Sequence, residues 1–318
     1  MILITGGSGF IGSHIAEHLL KEGHKIRILD SMLTGRNENL SGIKAEFVKG
    51  DIRNLDVVRK SMKDVDCVFH EAAQVSIPRS VENPIENNEI NVDATLLLLD
   101  TARRSGVKKF VFASSSSVYG NVQQKDLPIK EERILSPLSP YAVSKAAAEY
   151  YCKIFSDLYG ISTICLRYMN VYGPRQDPNS QYAAVIPRFI DSVIRDRQPV
   201  IFGDGMQTRD FVFVRDVARA NLLAMKARVK HGIYNVGTGK STSLLELLEK
   251  INSITGKRIK PIFSESKPGD IKHSVSDISR IKEIGFKPEY SLDQGLRETI
   301  KYFSYGQKAP SASALMLS

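Results

Sequence analysis

Short apolar runs alternate with longer amphipathic segments through the first half of the 318-residue chain. The runs are rich in β-branched side chains, which is typical of buried strands. Between them, apolar residues recur at helical spacing, as at Ile11, Ile15 and Leu19. This alternation predicts an α/β fold with a doubly wound parallel sheet covered by helices on both faces. The predicted strands are Ile2–Thr5, Lys25–Asp30, Ala45–Lys49, Asp66–His70, Lys109–Ser114 and Ser162–Arg167.

The pattern changes after Tyr168. A stretch rich in Gly, Pro, Asn and Gln over 170–187 is typical of a long loop, and more strands are predicted beyond it at Val200–Phe202, Phe211–Val214 and Ile233–Val236. We interpret this part as a smaller, mostly C-terminal lobe that seats a substrate at the carboxyl ends of the strands. The predicted boundaries are 1–168 with about 210–236 for the first domain, 169–209 with 237–303 for the lobe, and 304–318 for a flexible tail.

Composition and charge narrow the class of protein. Lys and Arg give a net charge of +9 but are scattered, so a basic surface that attracts small anions is favoured over a nucleic-acid partner. The three cysteines lack CxxC spacing, which disfavours disulfides and a metal site. No apolar run is long enough to span a membrane, and the first residues do not resemble a signal peptide. A cytoplasmic location is the resulting expectation.

A glycine-rich turn follows the first predicted strand. Gly6, Gly9 and Gly12 stand three residues apart at the start of a helical pattern, where small residues permit a tight turn and close approach to a pyrophosphate. Asp30 ends the second strand, and a carboxylate there can bind ribose hydroxyls and repel a 2′-phosphate. The sequence therefore predicts NAD rather than NADP, with Arg36 as a residue able to hold a phosphate instead.

Two further pairs follow predicted strands. Asp51-Ile52 and Ala72-Ala73 stand where the chain passes the riboses of a bound dinucleotide. Each pair is equally compatible with an ordinary turn or a close-packed strand end.

A tyrosine and a lysine stand four residues apart in a predicted helix. Tyr141 and Lys145 lie on one helix face, so both side chains can reach one ligand. An ammonium near a phenol lowers the pKa of the phenol from about 10 toward neutrality, which predicts a general base. The preceding strand ends in Ser114-Ser115-Ser116-Ser117, and a serine there can share a hydrogen bond with the reacting oxygen.

The order of these motifs resembles the extended short-chain dehydrogenase/reductase family of NAD-dependent epimerases and dehydratases, most of all its UDP-glucose and UDP-N-acetylglucosamine 4-epimerases. The resemblance covers residues 1–303 and implies a Rossmann-type sheet, NAD and a UDP-sugar substrate. Other matching segments are His70–Ala73, Asn91, Ser114–Gly120, Arg167–Gly173, Val185-Ile186-Pro187, Gly203–Phe211 and Pro268-Gly269-Asp270.

The same resemblance assigns roles to individual residues. It implies Tyr141 as the base, Lys145 as its electrostatic partner and nicotinamide-ribose ligand, and Ser115 as the hydroxyl on the substrate O4. It implies further cofactor contacts from Phe10, Ile11, Asn91, Tyr168 and Met169. It implies substrate contacts from Asn170, Val185, Val200, Phe202, Arg209, Lys267 and Asp270. Lys267 stands where relatives carry Arg, so the charge is kept without the bidentate fork.

The implied reaction interconverts C4 epimers of a UDP-hexose through a transient 4-keto sugar. Dehydratases of the family carry Asp-Glu, and decarboxylases carry Glu at the second position, where this chain has Ser116-Ser117. Eliminating water needs a general acid and a base, so we favour the epimerase over those two alternatives. A non-catalytic NAD sensor or scaffold is the alternative of another class, and the presence of Ser115, Tyr141 and Lys145 argues against it.

Substrate size and assembly are two further expectations. Some hexose-only relatives carry a bulky Tyr at the position of Ser274, so the small side chain here predicts room for an N-acetyl group. Relatives dimerise through the helix that bears the catalytic tyrosine, so the resemblance also implies a homodimer.

Overall fold

The structure, a computed structural model, describes residues 1–177, 184–266 and 271–306. Its strands are β1 (Ile2–Thr5), β2 (Ile26–Asp30), β3 (Glu46–Lys49), β4 (Cys67–His70), β5 (Lys109–Ser115), β6 (Ser162–Tyr168), β7 (Asn170–Tyr172), β8 (Val200–Phe202), β9 (Thr208–Arg209), β10 (Phe211–Phe213), β11 (His231–Val236), β12 (Thr242–Ser243) and β13 (Ile262–Ser264).

Helices fill most of the connections between strands. They are α1 (Phe10–Lys21), α2 (Leu55–Ser61), α3 (Ile77–Glu82), α4 (Pro84–Asn88), α5 (Ala94–Arg104), α6 (Pro140–Tyr159), α7 (Val185–Ile194), α8 (Val214–Lys226), α9 (Leu244–Thr255), α10 (Ser279–Lys282) and α11 (Leu292–Gly306). A π-helical turn, Glu89–Asp93, joins α4 to α5. Among the described residues, no helix is both long and apolar enough to cross a membrane.

Seven strands form one sheet in the order β11-β6-β5-β4-β1-β2-β3. All six pairings are parallel, which confirms the predicted doubly wound α/β fold. The strand order reverses direction between β1 and β4. Open α/β sheets bind ligands outside the carboxyl ends of their strands at such a switch point, so the fold places a site there.

Successive side chains of each strand face opposite helical layers. Ile2 and Ile4 of β1 pack in the apolar cluster that includes α1 and α8. Leu3, between them, packs in the cluster that includes α2, α5 and α6. Because both faces are covered, the strands are continuous apolar runs rather than alternating ones, as the sequence indicated. The three cysteines are buried in these clusters and are free thiols.

The smaller lobe consists of three two-stranded sheets and the helices packed on them. Strand β7 pairs with β10 and β8 with β13 in parallel, whereas β9 pairs with β12 antiparallel. The core of this lobe is an apolar cluster to which α7, α9 and α11 contribute buried side chains, among them Phe189, Leu247 and Leu296.

Several predicted strands begin or end one or two residues from the observed bounds, and three boundaries change the interpretation of the second half of the chain. The stretch 170–187 is not one loop, because β7 forms against β10 and α7 begins at Val185. The strand predicted to end at Val214 ends one residue earlier, where α8 begins. The tail does not begin at Ser304, because α11 continues to Gly306 and packs Phe303 into the lobe core. Residues 307–318 lie outside the described residues.

Candidate active site

The glycine loop between β1 and α1 has no space for side chains at either end. Gly6 has a φ of +71°, and a Cβ there would lie 2.7 Å from the backbone N of Ala72. A Cβ on Gly12 would lie 2.4 Å from the carbonyl oxygen of Gly6. Gly9 caps α1 without a side-chain hydrogen bond, and the first helical turn contains no acidic residue. The amides of this N-terminus therefore suit a pyrophosphate, as a bound dinucleotide requires.

The residues that begin α1 complete this loop. Phe10 and Ile11 are partly buried, and both pack against the apolar cluster of the smaller lobe. The first turn of the phosphate-facing helix therefore contacts both parts of the molecule.

The carboxylate of Asp30 lies beside the same loop. It is buried at the carboxyl end of β2 and accepts hydrogen bonds from the backbone N of Ser8 at 3.0 Å and of Met32 at 2.8 Å. Arg36, the residue that can hold a phosphate, is paired with Asp177 at 2.6 Å. A buried carboxylate and a neutralised guanidinium suit a ribose with free hydroxyls better than one with a 2′-phosphate.

The two residues that follow β3, Asp51 and Ile52, have different surroundings. Asp51 accepts a fork of hydrogen bonds from Arg53, at 3.1 Å from Nε and 2.7 Å from Nη2, and this interaction lowers the pKa of the carboxyl. Ile52 is buried in the apolar cluster beneath β1 and β2. Asp51 is therefore charged at the rim of the predicted cofactor site, and Ile52 anchors the turn.

A buried amide braces the segment after β4 that contains Ala72 and Ala73. Asn91, on the π-helical turn, accepts from the backbone N of Gln74 at 2.8 Å and donates to its carbonyl oxygen at 2.9 Å. It also donates to the hydroxyl of Ser144 on α6 at 3.1 Å. Both ends of the Asn91 amide are thus used within the protein, and it positions the alanine pair relative to the helix that bears Tyr141.

The three predicted catalytic residues meet at the carboxyl edge of the sheet. Ser115 is the last residue of β5, and its side chain hydrogen-bonds that of Tyr141 near the start of α6. Lys145, one turn later, donates from Nζ to the carbonyl oxygen of Ala113 at 2.8 Å and lies 5.9 Å from the centroid of the Tyr141 ring. The helix starts here because Ser139 caps it by accepting from a backbone amide and Pro140 occupies its first turn.

The expectation that Lys145 acidifies the phenol is wrong for the protein alone. Burial raises the pKa of Tyr141, the hydrogen bond from Ser115 lowers it only in part, and the charge of Glu71 raises it further. Burial also lowers the pKa of Lys145 to about 8. Both shifts arise because a buried site disfavours charged forms. A cationic ligand beside the phenol would favour the phenolate.

Two residues at the crossing between the lobes make side-chain contacts within the protein, and their predicted cofactor contacts remain predictions. The hydroxyl of Tyr168, at the end of β6, donates to Glu71 Oε1 at 2.9 Å and accepts from Asn221 Nδ2 at 2.8 Å. Met169 is buried in the sheet core. Sequence reasoning did not single out Glu71, although a carboxylate directly after a buried strand, within His70-Glu71-Ala72-Ala73, was a usable signal.

The predicted substrate residues lie in the smaller lobe. Val200 and Phe202 share one face of β8, and Ile201 between them points into the core. Arg209 is half-buried on β9 and donates to the carbonyl oxygen of Thr208 at 2.9 Å. Two further predicted residues are Asn170, which begins β7, and Val185, which begins α7.

Ser274 is buried beside the same lobe. Its backbone N donates to the carbonyl oxygen of Thr208 at 3.1 Å, so the segment that carries it lies along β9. Lys267 and Asp270 lie outside the described residues, and their predicted contacts remain predictions.

Comparisons with known proteins agree with this geometry. A UDP-glucose 4-epimerase of Mycolicibacterium smegmatis is 39% identical over 308 residues, which are 95% of this chain and 97% of that protein. The solved UDP-N-acetylglucosamine 4-epimerase of Methanobrevibacter ruminantium, in complex with UDP-N-acetylmuramic acid, superposes with a TM-score of 0.92 at 43% identity, covering 96% of this chain and 98% of that one. The Thermus thermophilus UDP-glucose 4-epimerase complex with NAD gives 0.88 at 37% identity, covering 95% and 98%.

The family match covers the whole cofactor region and the catalytic residues. It extends over residues 2–237, from β1 to the end of β11. With the glycine loop, Asp30 and the Ser115–Tyr141–Lys145 group in place, the chain belongs to the NAD-dependent epimerase/dehydratase family.

Proposed function

We propose that the protein is a UDP-hexose 4-epimerase that uses bound NAD. The observation that carries the proposal is the meeting of Ser115, Tyr141 and Lys145 at the sheet edge next to the glycine loop. The nucleotide supplies most of the affinity, because the hexose must be free to turn over between two hydride transfers.

The side chains divide the proton chemistry among them. Tyr141 takes the O4 proton of the hexose, and Ser115 donates a hydrogen bond to the same oxygen. Lys145 is fixed by the carbonyl oxygen of Ala113 and supplies positive charge one turn from the phenol. The glycine loop and Asp30 would hold NAD, which would supply a hydride acceptor and donor for C4 and a cationic ring that favours the phenolate. The C4 configuration would invert because the hydride returns to the opposite face of the keto carbon, while Tyr141 returns its proton to O4.

The residues beside Ser115 argue against dehydration and decarboxylation. Ser116 and Ser117 follow it in a short 3₁₀ turn, so no carboxylate occupies the position at which an elimination would need an acid or a base. The hydroxyl of Ser117 is buried without a hydrogen-bond partner among the described residues.

We infer that the enzyme accepts N-acetylated hexoses as well as, or instead of, plain ones. The small side chain of Ser274 supports this, because a tyrosine at this position would occupy space that an N-acetyl group needs. The test is NMR analysis of products from UDP-glucose, UDP-galactose, UDP-GlcNAc and UDP-GalNAc. The expected products are the C4 epimers, whereas a 4-keto-6-deoxy sugar or a pentose would contradict the proposed reaction.

A paired substitution tests the role of Ser274. We expect Ser274→Tyr to lower kcat/KM for the N-acetylated substrate relative to the plain one by about tenfold or more, the usual scale for a steric mismatch in a pocket. The matched control is Ser253→Tyr on the exposed side of α9, which leaves the ratio unchanged. An unchanged ratio in Ser274→Tyr would assign the size limit to other residues.

We also infer that two copies of the chain associate through α6. Its exposed side carries one stripe of large apolar residues at helical spacing, namely Val143, Tyr150, Ile154 and Leu158. Each is about half exposed or more, which is costly for a helix that faces water. Sedimentation velocity of the purified protein tests this: a species of twice 35.4 kDa supports a dimer, and a monomer at micromolar concentration contradicts it.

A further inference from the structure

The carboxylate of Glu71 lies between the glycine loop and the catalytic helix. Glu71 follows the last residue of β4, and its backbone N donates to the carbonyl oxygen of Thr5 at 3.1 Å. Its backbone also contacts the loop, since a Cβ on Gly6 would lie 3.0 Å from the carbonyl carbon of Glu71. The position is therefore fixed by the two strands that flank the switch point, β1 and β4.

The side chain of Glu71 is also fixed. Its Oε1 accepts from the hydroxyl of Tyr168 at 2.9 Å, and Asn221 holds that hydroxyl from the other side at 2.8 Å. Tyr168 and Asn221 come from β6 and α8, so three separate elements determine where the carboxylate lies. A surface glutamate has no such constraint, and this arrangement indicates a specific role.

Two of the titratable groups that interact with Glu71 belong to the proposed reaction, and the third is its hydrogen-bond partner Tyr168. Tyr141 and Lys145 face it from α6, and Tyr168 faces it from β6. Among charged side chains, Glu71 has the largest effect on the pKa of both Tyr141 and Lys145, and it raises both. Burial raises the pKa of Glu71 itself to about 7, so the carboxylate is mostly ionised at pH 8.

These charges bear on which form of the cofactor the site prefers. The nicotinamide ring of NAD⁺ is cationic and that of NADH is neutral. A site whose only nearby charge was the Lys145 ammonium would repel the oxidised ring and favour the reduced one. A partly buried carboxylate at the same site reverses this preference.

We propose that the charge of the Glu71 carboxylate sets the redox preference of the cofactor site. It makes the protein bind oxidised NAD in preference to the reduced form. The proposal rests on the proposed function only in that the dinucleotide ring lies next to Tyr141 and Lys145. Its consequence is that the resting enzyme is kept in the NAD⁺ form, the form that can begin the oxidation of a sugar. The roles of Ser115, Tyr141 and Lys145 in the proposed reaction stay as described above.

The test separates charge from hydrogen bonding. Glu71→Gln keeps an oxygen that accepts from Tyr168 but removes the charge, and Glu71→Asp keeps the charge on a shorter side chain. The matched control is Glu249→Gln, which removes a carboxylate from the exposed face of α9. Each full-length protein is equilibrated at pH 8 with equal concentrations of NAD⁺ and NADH, and the bound nucleotides are released and quantified after the free ones are removed.

We expect Glu71→Gln to shift the bound ratio toward NADH by about tenfold, the scale of one partly screened charge near the ring. Glu71→Asp and Glu249→Gln stay close to the wild-type ratio. Equal ratios in Glu71→Gln and wild type would overturn the proposal, as would a shift of the same size in Glu71→Asp, because the effect would then follow shape rather than charge.

A second readout does not involve nucleotide. In the protein without cofactor, ultraviolet titration of the phenols should give a lower pKa for Tyr141 in Glu71→Gln than in wild type, and Tyr141→Phe identifies the signal. An unchanged pKa would contradict the proposed electrostatic contact. Neither measurement requires a UDP-sugar, so failure of the epimerase proposal in the product analysis is distinguishable from failure of this one.

Discussion

The hydroxyl of Tyr141 can be removed without disturbing its surroundings. In Tyr141→Phe the ring remains in place, and the Ser115 hydroxyl that bonded the phenol still accepts from the backbone N of Ser117 at 3.2 Å. The loss of one hydrogen bond costs about 1 kcal/mol of unfolding free energy. The substitution is therefore a test of chemistry rather than of folding.

The expected effect on turnover is much larger than that on stability. A positioned general base contributes about 10²- to 10⁴-fold to a rate, which corresponds to about 3–5 kcal/mol of barrier. Ser115 and Lys145 remain, but a serine hydroxyl is a weak base and the ammonium cannot accept a proton. We therefore expect kcat to fall by at least about 10²-fold while the protein still binds NAD.

The assay follows C4 epimerisation of a UDP-hexose by NMR and measures bound NAD after denaturing the protein. The control is Tyr172→Phe, which removes a buried phenol hydroxyl that donates to the carbonyl oxygen of Leu292 at 3.2 Å in the smaller lobe. The control should lose some stability and keep its turnover. A folded Tyr141→Phe protein with more than about a tenth of the wild-type kcat would refute the assignment of the base.

Two further predictions concern cofactor retention and acid stability. Gly12→Ala places a Cβ 2.4 Å from the carbonyl oxygen of Gly6, so we expect it to purify without NAD, whereas Gly23→Ala, with no atom within 4 Å of its Cβ, retains the cofactor. Equal NAD content in the two variants would contradict the close-approach argument. Burial lowers the pKa of His14 to about 4 and of His70 to about 3, so both bind a proton more readily when unfolded. Stability should therefore be full above pH 6.5 and fall by roughly 1.4 kcal/mol per pH unit for each histidine as the pH drops toward 4. Urea unfolding at pH 7, 6 and 5 measures this, and a flat profile would count against buried neutral histidines.

The sequence by itself determined the local elements and the residues whose spacing is local. Apolar runs placed the strands of the large sheet to within a residue or two, and the glycine spacing marked the cofactor turn. Tyr141 and Lys145 were predictable as a pair because four residues make one helical turn, whatever the rest of the fold does. A serine at the end of β5 was predictable because the carboxyl ends of parallel strands share one edge, whereas the choice of Ser115 came from the family resemblance and the strand was predicted to end at Ser114.

Only the tertiary structure decided which distant groups meet. No local periodicity in the sequence predicts that β7 pairs with β10. Nor does any local pattern predict the hydrogen bond between Glu71 and Tyr168, which are 97 residues apart. The same holds for the pKa of Tyr141, since desolvation depends on everything packed around the phenol and not on the lysine one turn away. Short-range patterns follow from backbone geometry, whereas charge and burial at the site are set by contacts between elements that chain order does not fix.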